Sequence, residues 1–144
     1  MITIERANRS DLPDVLALLR ANSLPTDGVA EHVDTFFVAR LDGKVLGTAG
    51  LEWYEDGALL RSVAVAASSR GAGLGLALTR AALEAAEGRG TEAVFLLTTT
   101  ADRFFPRFGF ERITREDVPV SVRRSVEFAS ACPESAVVMR RVLR

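Results

Sequence analysis

Three apolar runs, Phe36–Leu41, Lys44–Trp53 and Ala58–Val65, are separated by Asp42-Gly43 and Asp56-Gly57. No other feature constrains the chain as strongly. Asp-Gly between apolar runs is a strong hairpin signal, because glycine supplies the positive φ that a two-residue turn demands. Two such turns in succession predict an antiparallel meander of three strands. The chain has 144 residues, room for one domain spanning 1–144. Apolar residues make up 48% and charged residues 26%, a globular balance that excludes a disordered chain and a fibre. Lys and Arg number 18 against 19 Asp and Glu, and the net charge of -1 argues against a nucleic-acid partner.

Around the meander the pattern is mixed. Residues 2–6 suit a short strand. Ser10 reads as the N-cap of a helix reaching Asn22, with Leu12, Val15, Leu16 and Leu19 on one face. Residues 23–34 carry Pro25 and Gly28 and read as a loop with a short helix at 29–32. Ser68–Gly75 opens a helix to about Glu87, whose expected buried stripe is Leu74, Ala77, Leu78, Ala81, Ala82 and Ala85. Val94–Thr98 is apolar enough for a strand buried on both faces. A short helix at about 101–108, a strand from near Phe110, a helix at 120–128 and a strand at 136–142 complete the reading. Met1-Ile2-Thr3-Ile4 runs into the first strand with no apolar signal core, and no apolar stretch approaches the roughly 20 residues of a membrane span, so the cytosol is expected. A single cysteine, Cys132, and a single histidine, His32, leave no metal-ligand spacing and no site with two imidazoles.

Chemistry is concentrated at Arg70-Gly71-Ala72-Gly73-Leu74-Gly75. Glycines between a strand and a helix let an anion approach backbone N–H groups that lack partners in the first helical turn, where the helix dipole adds positive potential. The run is not a P-loop, because Gly-Lys-Ser/Thr is missing. It is a poor dinucleotide fingerprint, because a third glycine is out of place and hairpin strands precede it. It does fit Arg-x-x-Gly-x-Gly. With that motif and Gly109-Phe110, the chain resembles the GNAT superfamily of acyl-CoA-dependent N-acetyltransferases over nearly its whole length. Leu60–Val65 with Leu96–Phe105 resembles the amino-acid N-acetyltransferase branch. The run Ser125–Ala136 resembles the ArsN-type enzymes associated with arsenic resistance.

The resemblance implies an α/β fold whose mixed, mostly antiparallel sheet is flanked by helices and splayed between its fourth and fifth strands. It implies acetyl-CoA as cosubstrate, no metal, and a small amine acceptor, amino-acid-like and in the ArsN-type case an arsenical or phosphinic amino acid. Val63, Ala64 and Val65 would pair with the pantetheine arm. Arg70, Gly71, Ala72, Gly73, Leu74, Gly75 and Leu76 would hold the pyrophosphate. A backbone amide near Val63 would polarise the thioester carbonyl. Many family members dimerise, which would place residues 113–135 at an interface. A protein lysine or N-terminal acceptor, and a non-catalytic acyl-CoA sensor, are the rival functions. Many members also carry a tyrosine acid four residues before the glycine of Gly-Phe, a position held here by Phe105.

Acceptor chemistry adds three residues. Glu52, on the third strand, is the candidate base for the amine, against the reading of a solvated strand carboxylate. His32 is a rival base or a substrate ligand. Arg61 lies among Leu59, Leu60, Val63 and Val65, where a guanidinium needs an anion. It binds an acceptor carboxylate, pairs with Glu52 across the hairpin, or faces solvent. Cys132 reads as a packed thiol. Tyr54 is expected to alternate away from the neighbours of Glu52.

Overall fold

The computed structural model describes residues 1–143, with the side chains of Ser130 and Ala131, inside the run 125–136, outside the description. Seven strands form one sheet: β1 (Thr3–Arg6), β2 (Phe36–Leu41), β3 (Lys44–Tyr54), β4 (Gly57–Val65), β5 (Ala93–Thr98), β6 (Glu111–Ile113) and β7 (Val137–Val142). Their order is β1-β2-β3-β4-β5-β7-β6. Every neighbouring pair is antiparallel except β4 and β5. The predicted meander is therefore present, with its strand bounds within a residue.

Two helices cover opposite faces. From α1 (Leu12–Ala21), Val15, Leu18 and Leu19 pack with Phe36 and Val38 of β2. From α3 (Leu74–Gly88), Leu74, Leu78, Ala82, Leu83 and Ala86 pack with Ala49, Leu51, Leu60, Val94 and Leu96. The buried stripe of α3 is thus rotated from the expected one: Leu83 and Ala86 are inside, while Ala77, Ala81 and Ala85 lie at the margin. A short helix, α2 (Val29–His32), closes the loop after α1, and α4 (Val120–Arg123) packs Val122 against Leu59 and Phe95.

Several local expectations are corrected. Asn8 rather than Ser10 starts the first helical segment: its side chain accepts from the Ser10 amide and the Asp11 carboxylate accepts from the Asn8 amide, a reciprocal cap around a tight turn that leads into α1. The expected helix at 101–108 is reduced to a tight turn at Phe105–Phe108. The expected helix at 120–128 breaks after Arg123, and a wide turn follows at Glu127–Ala131, where the Cys132 amide donates to the Glu127 carbonyl.

The two Asp-Gly turns differ. Asp42 and Gly43 both take positive φ, 50° and 78°, the geometry of a two-residue turn matched to strand twist. Gly57 does not; it is the first residue of β4, paired with Tyr54. Glycine is required there for space, since a Cβ would stand 2.8 Å from the Phe95 ring and 3.0 Å from the Ala93 carbonyl oxygen. Gly57→Ala should therefore destabilise the fold by about 1–3 kcal/mol through overpacking. A denaturation midpoint equal to that of the parent would show that β4 and β5 can separate at this point without cost.

Candidate functional site

β4 and β5 pair only at Ala58–Val94 and Leu59–Phe95. Beyond that point they part, and a cavity of about 1000 Å³ opens between Leu60–Val65 on one side and Leu96–Ala101 on the other. Past Leu60 and Arg61, on the parted stretch, β4 is irregular. Gly50 pairs with Arg61 and Thr48 with Ala64, so Ser62 and Val63 together oppose the single residue Ala49. This is a β-bulge, and it reverses the facing of every later residue. Leu60 packs in the α3 core, whereas Ala64, four residues on, packs in the α1 core. Ser62 holds φ at 59°, outside the usual range for a non-glycine residue, and its Oγ accepts from Arg61 Nε at 3.0 Å. Val63 lies in the bulge and lines the cavity.

The glycine run lies at the mouth. Gly71 and Gly73 take φ of 88° and 76°, and a Cβ on either would meet nothing within 4 Å. Gly73 caps α3 with no side-chain acceptor, which leaves the amides of the first turn free for an external anion. Arg70 and Gly75 line the cavity, and Arg70 is tethered to Asn22 Oδ1 at 2.7 Å. A phosphate chain fits this cradle: it is open, rich in N–H donors and continuous with a channel between two parted strands.

At the inner end of the cavity is a buried charge cluster. The guanidinium of Arg61, 2% exposed, donates from Nη1 to Glu52 Oε2 at 2.8 Å and from Nη2 to the Pro25 carbonyl at 3.4 Å. A second carboxylate, Glu127, stands 3.5 Å from Nη2. The pairing of Arg61 with Glu52 across the hairpin, one of its three readings in the sequence, is what the structure holds, and its burial overturns the solvent-facing reading. Gly28 lies over the cluster with φ 77°; a Cβ there would stand 2.9 Å from Val126 and 3.3 Å from Arg61 Nη1.

Glu52 is 1% exposed and stands behind the cavity wall rather than in it. Burial alone would raise its pKa, but hydrogen bonds from Ser125, Tyr54 and Arg61 outweigh burial and hold it below the ordinary carboxylate value. Tyr54, contrary to expectation, donates to Glu52 Oε1, because residues two apart on a strand share a face. Burial and that carboxylate push the Tyr54 phenol up to about 12. His32 Nε2 lies 4.0 Å from Glu52 Oε1 with its side chain 32% exposed, and it too stands outside the wall. Cys132 lines the cavity beside Glu127, and burial together with that carboxylate pushes its thiol up to about 12, so it is a protonated thiol and no nucleophile. Phe105 is buried edge-on between Phe104 and Phe110 and supplies no proton. Glu127 was not singled out in the sequence, because it follows a break in a segment read as one continuous helix. Among the described residues, no group of acidic, histidine and cysteine side chains is placed to hold a metal, and no helix is long and apolar enough to cross a membrane.

Comparison with known proteins agrees with this architecture. Residues 32–112 match the model of the acetyltransferase (GNAT) domain. An uncharacterized N-acetyltransferase of Chlorobaculum tepidum is 33% identical over 116 residues, covering 78% of this chain and 74% of that protein. An amino-acid acetyltransferase of Neisseria meningitidis is 25% identical over 99% of this chain, which spans only 34% of that enzyme. Among solved structures, a Mycobacterium tuberculosis protein complexed with CoA and a second ligand superposes with a TM-score of 0.83 at 29% identity, each chain covered to 99%. The N-acetylglutamate synthase of Neisseria gonorrhoeae, complexed with CoA and N-acetyl-glutamate, gives a TM-score of 0.85 at 22% identity over all of this chain and 35% of that one, a likeness of fold.

The cluster predicts a stability phenotype. Arg61→Met keeps most of the apolar stem but leaves Glu52 and Glu127 buried together without their cation, at a cost of about 3–5 kcal/mol. Both carboxylates would then bind protons more tightly in the folded chain than in the unfolded one, so the deficit should be largest at neutral pH and shrink as the pH falls toward 4. Urea denaturation at the two pH values measures it. A deficit below about 1 kcal/mol, independent of pH, would mean that the pair is screened by water.

Proposed function

The chain belongs to the GNAT acetyltransferase family and is an acyl-CoA-dependent N-acyltransferase, and we propose that it moves an acetyl group from acetyl-CoA to the primary amine of a small, amino-acid-like molecule. The observation that carries this reading is the parting of β4 from β5 beside an uncapped, glycine-rich start of α3. In the proposal, the pyrophosphate is held by the amides of Gly71, Ala72, Gly73, Leu74, Gly75 and Leu76 with Arg70 alongside. The pantetheine arm runs through the gap and pairs with the backbone of Val63, Ala64 and Val65 as an added strand would. The amide of Val63, turned by the bulge, donates to the thioester oxygen as negative charge develops on it. A lost donor of this type costs about 3 kcal/mol in other acyl-transfer enzymes.

The acceptor enters beside Arg61. Glu52 holds that guanidinium in place and stands one layer behind the reacting atoms, and His32 forms the outer contact toward the acceptor's far end. No tyrosine acid is needed at the position of Phe105, because a thiolate is a tolerable leaving group near neutral pH. An amino-acid acceptor is supported by the amino-acid acetyltransferase relatives, an arsenical or phosphinic one by the ArsN-type run at 125–136. The domain is proposed to act in the cytosol, as a single unit over 1–144 and as a homodimer. The sensor reading draws on Phe105 and on the lack of an assigned base: a domain without either could bind acetyl-CoA and stop there.

Release of CoA thiol, measured against the L-amino acids, their decarboxylated amines, lysine peptides and arsenical and phosphinic amino acids, separates the readings. The proposal expects turnover with a free α-amino acid. Turnover with peptides alone would assign a protein acceptor, and acetyl-CoA binding without amine-dependent release would assign a sensor. Gly73→Asp should keep a folded chain, with about 1–2 kcal/mol of left-handed strain. Its carboxylate would meet the phosphate, and acetyl-CoA affinity should fall at least about 100-fold, equivalent to ~2.7 kcal/mol. Unchanged affinity by calorimetry would remove the glycine run from the cosubstrate site.

A further inference from the structure

Arg61 carries one positive charge and faces two carboxylates, and the two differ in position. Glu52 receives the short hydrogen bond at 2.8 Å and sits behind the wall; Glu127, 4% exposed, is 3.5 Å away and lines the cavity itself. The wide turn at Glu127–Ala131 holds the Glu127 backbone there through its carbonyl, which accepts from the Cys132 amide. Asp27, from the loop before α2, lines the same cavity and adds further negative charge. Among the buried side chains two carboxylates, Glu52 and Glu127, therefore face one guanidinium, with Asp27 exposed at the cavity, and an unmatched buried charge is costly. A cation is the complement this cluster lacks.

We propose that Glu127 receives the protonated amine of the acceptor and takes its first proton. The inference rests on the acetyltransferase reading and specifies its acceptor: an amine that arrives as an ammonium ion, rather than a nucleophile that is neutral beforehand. The ammonium ion gives one proton to the Glu127 carboxylate, and the neutral amine attacks the thioester carbonyl beside Val63, forming the C–N bond. The tetrahedral centre collapses, the C–S bond breaks with its electron pair on sulfur, and the second amine proton goes to the thiolate to give CoA thiol. Glu127 returns its proton to solvent.

The groups facing Glu127 suit this role. Burial raises its pKa, Arg61 opposes that rise, Glu52 and Asp27 reinforce it, and the Cys132 thiol donates to it; the balance lies above the ordinary carboxylate value. A carboxylate moved upward is better matched to an amine than Glu52, which is moved downward. Cys132 stays protonated and does not compete for the proton.

The test uses the whole chain, acetyl-CoA, the L-amino acid turned over fastest in the panel, and methoxyamine, a nucleophile that is neutral at pH 7. Glu127→Gln should lower kcat/KM for the amino acid by about 100-fold or more at pH 7, within the range of a lost general base. The loss should shrink toward pH 9–10, where the amine deprotonates unaided, and turnover of methoxyamine should change by less than about 5-fold. Acetyl-CoA affinity should stay unchanged. Since Arg61 keeps Glu52, the variant should fold; Glu127→Asp, which retains the charge on a shorter stem, is the second variant and should raise the amino-acid KM while keeping the parent's pH profile. Equal losses on the two nucleophiles, or a Glu127→Gln profile parallel to the parent's, would overturn the role of Glu127 while leaving the acetyltransferase reading intact. A parent chain that binds acetyl-CoA but releases no thiol with any amine would overturn that reading first, and this inference with it.

Discussion

One extra residue in β4 decides much of this molecule. Ser62 and Val63 stand opposite Ala49 alone, beyond the end of the β4–β5 ladder at Leu59, and there the strand reverses its facing. The ladder with β5 ends at Leu59, and the bulge lies on the stretch of β4 that borders the gap. There the free edges of both strands line a channel that runs from the charge cluster at Arg61 to the glycine run before α3. The strain at Ser62 is held by its neighbour, whose Nε donates to its hydroxyl.

That neighbour ties the bulge to the rest of the site. Arg61 is the last residue of β4 in register before the bulge, and its guanidinium is shared among β3 through Glu52, the loop after α1 through Pro25, and the 127–131 turn through Glu127. Three segments distant in sequence converge on one side chain. A buried ion pair is a weak source of net stability, but a missing partner is expensive, so such a cluster favours the single arrangement in which all of its members meet. The segment between β6 and β7 has little regular structure, and its place in the fold depends on this convergence together with the packing of Val118 and Val122 on Leu59 and Phe95.

Much of the architecture was legible. The alternation of apolar residues and the two Asp-Gly pairs located the meander, and the glycine run located the start of α3. The splay between β4 and β5 was expected from family resemblance and is present. What escaped was non-local. The bulge leaves only a faint mark in sequence: in Leu-Arg-Ser-Val-Ala-Val two polar residues stand side by side at 61 and 62, a break in the alternation that does not by itself distinguish a bulge from a strand's end. Gly57 reads as a turn residue in its Asp-Gly pair, whereas its role is to admit the Phe95 ring, 38 residues further along the chain. Arg61 was recognised as needing an anion, but its anions were matters of register and of a distant turn. Glu127 falls within the helix expected at 120–128, and only the break after Arg123 and the turn at Glu127–Ala131 bring it to Arg61.

The central claim is that the bulge and the glycine run form one acetyl-CoA site. Amide hydrogen exchange resolved by residue, with and without saturating acetyl-CoA, tests it most directly. On binding, the amides of Val63 and Val65 and those of residues 71–76 should slow together, while the amides of the α1 face, such as those of Val15 and Leu19, should not change. Protection confined to one of the two segments, or spread evenly over the chain, would contradict the claim.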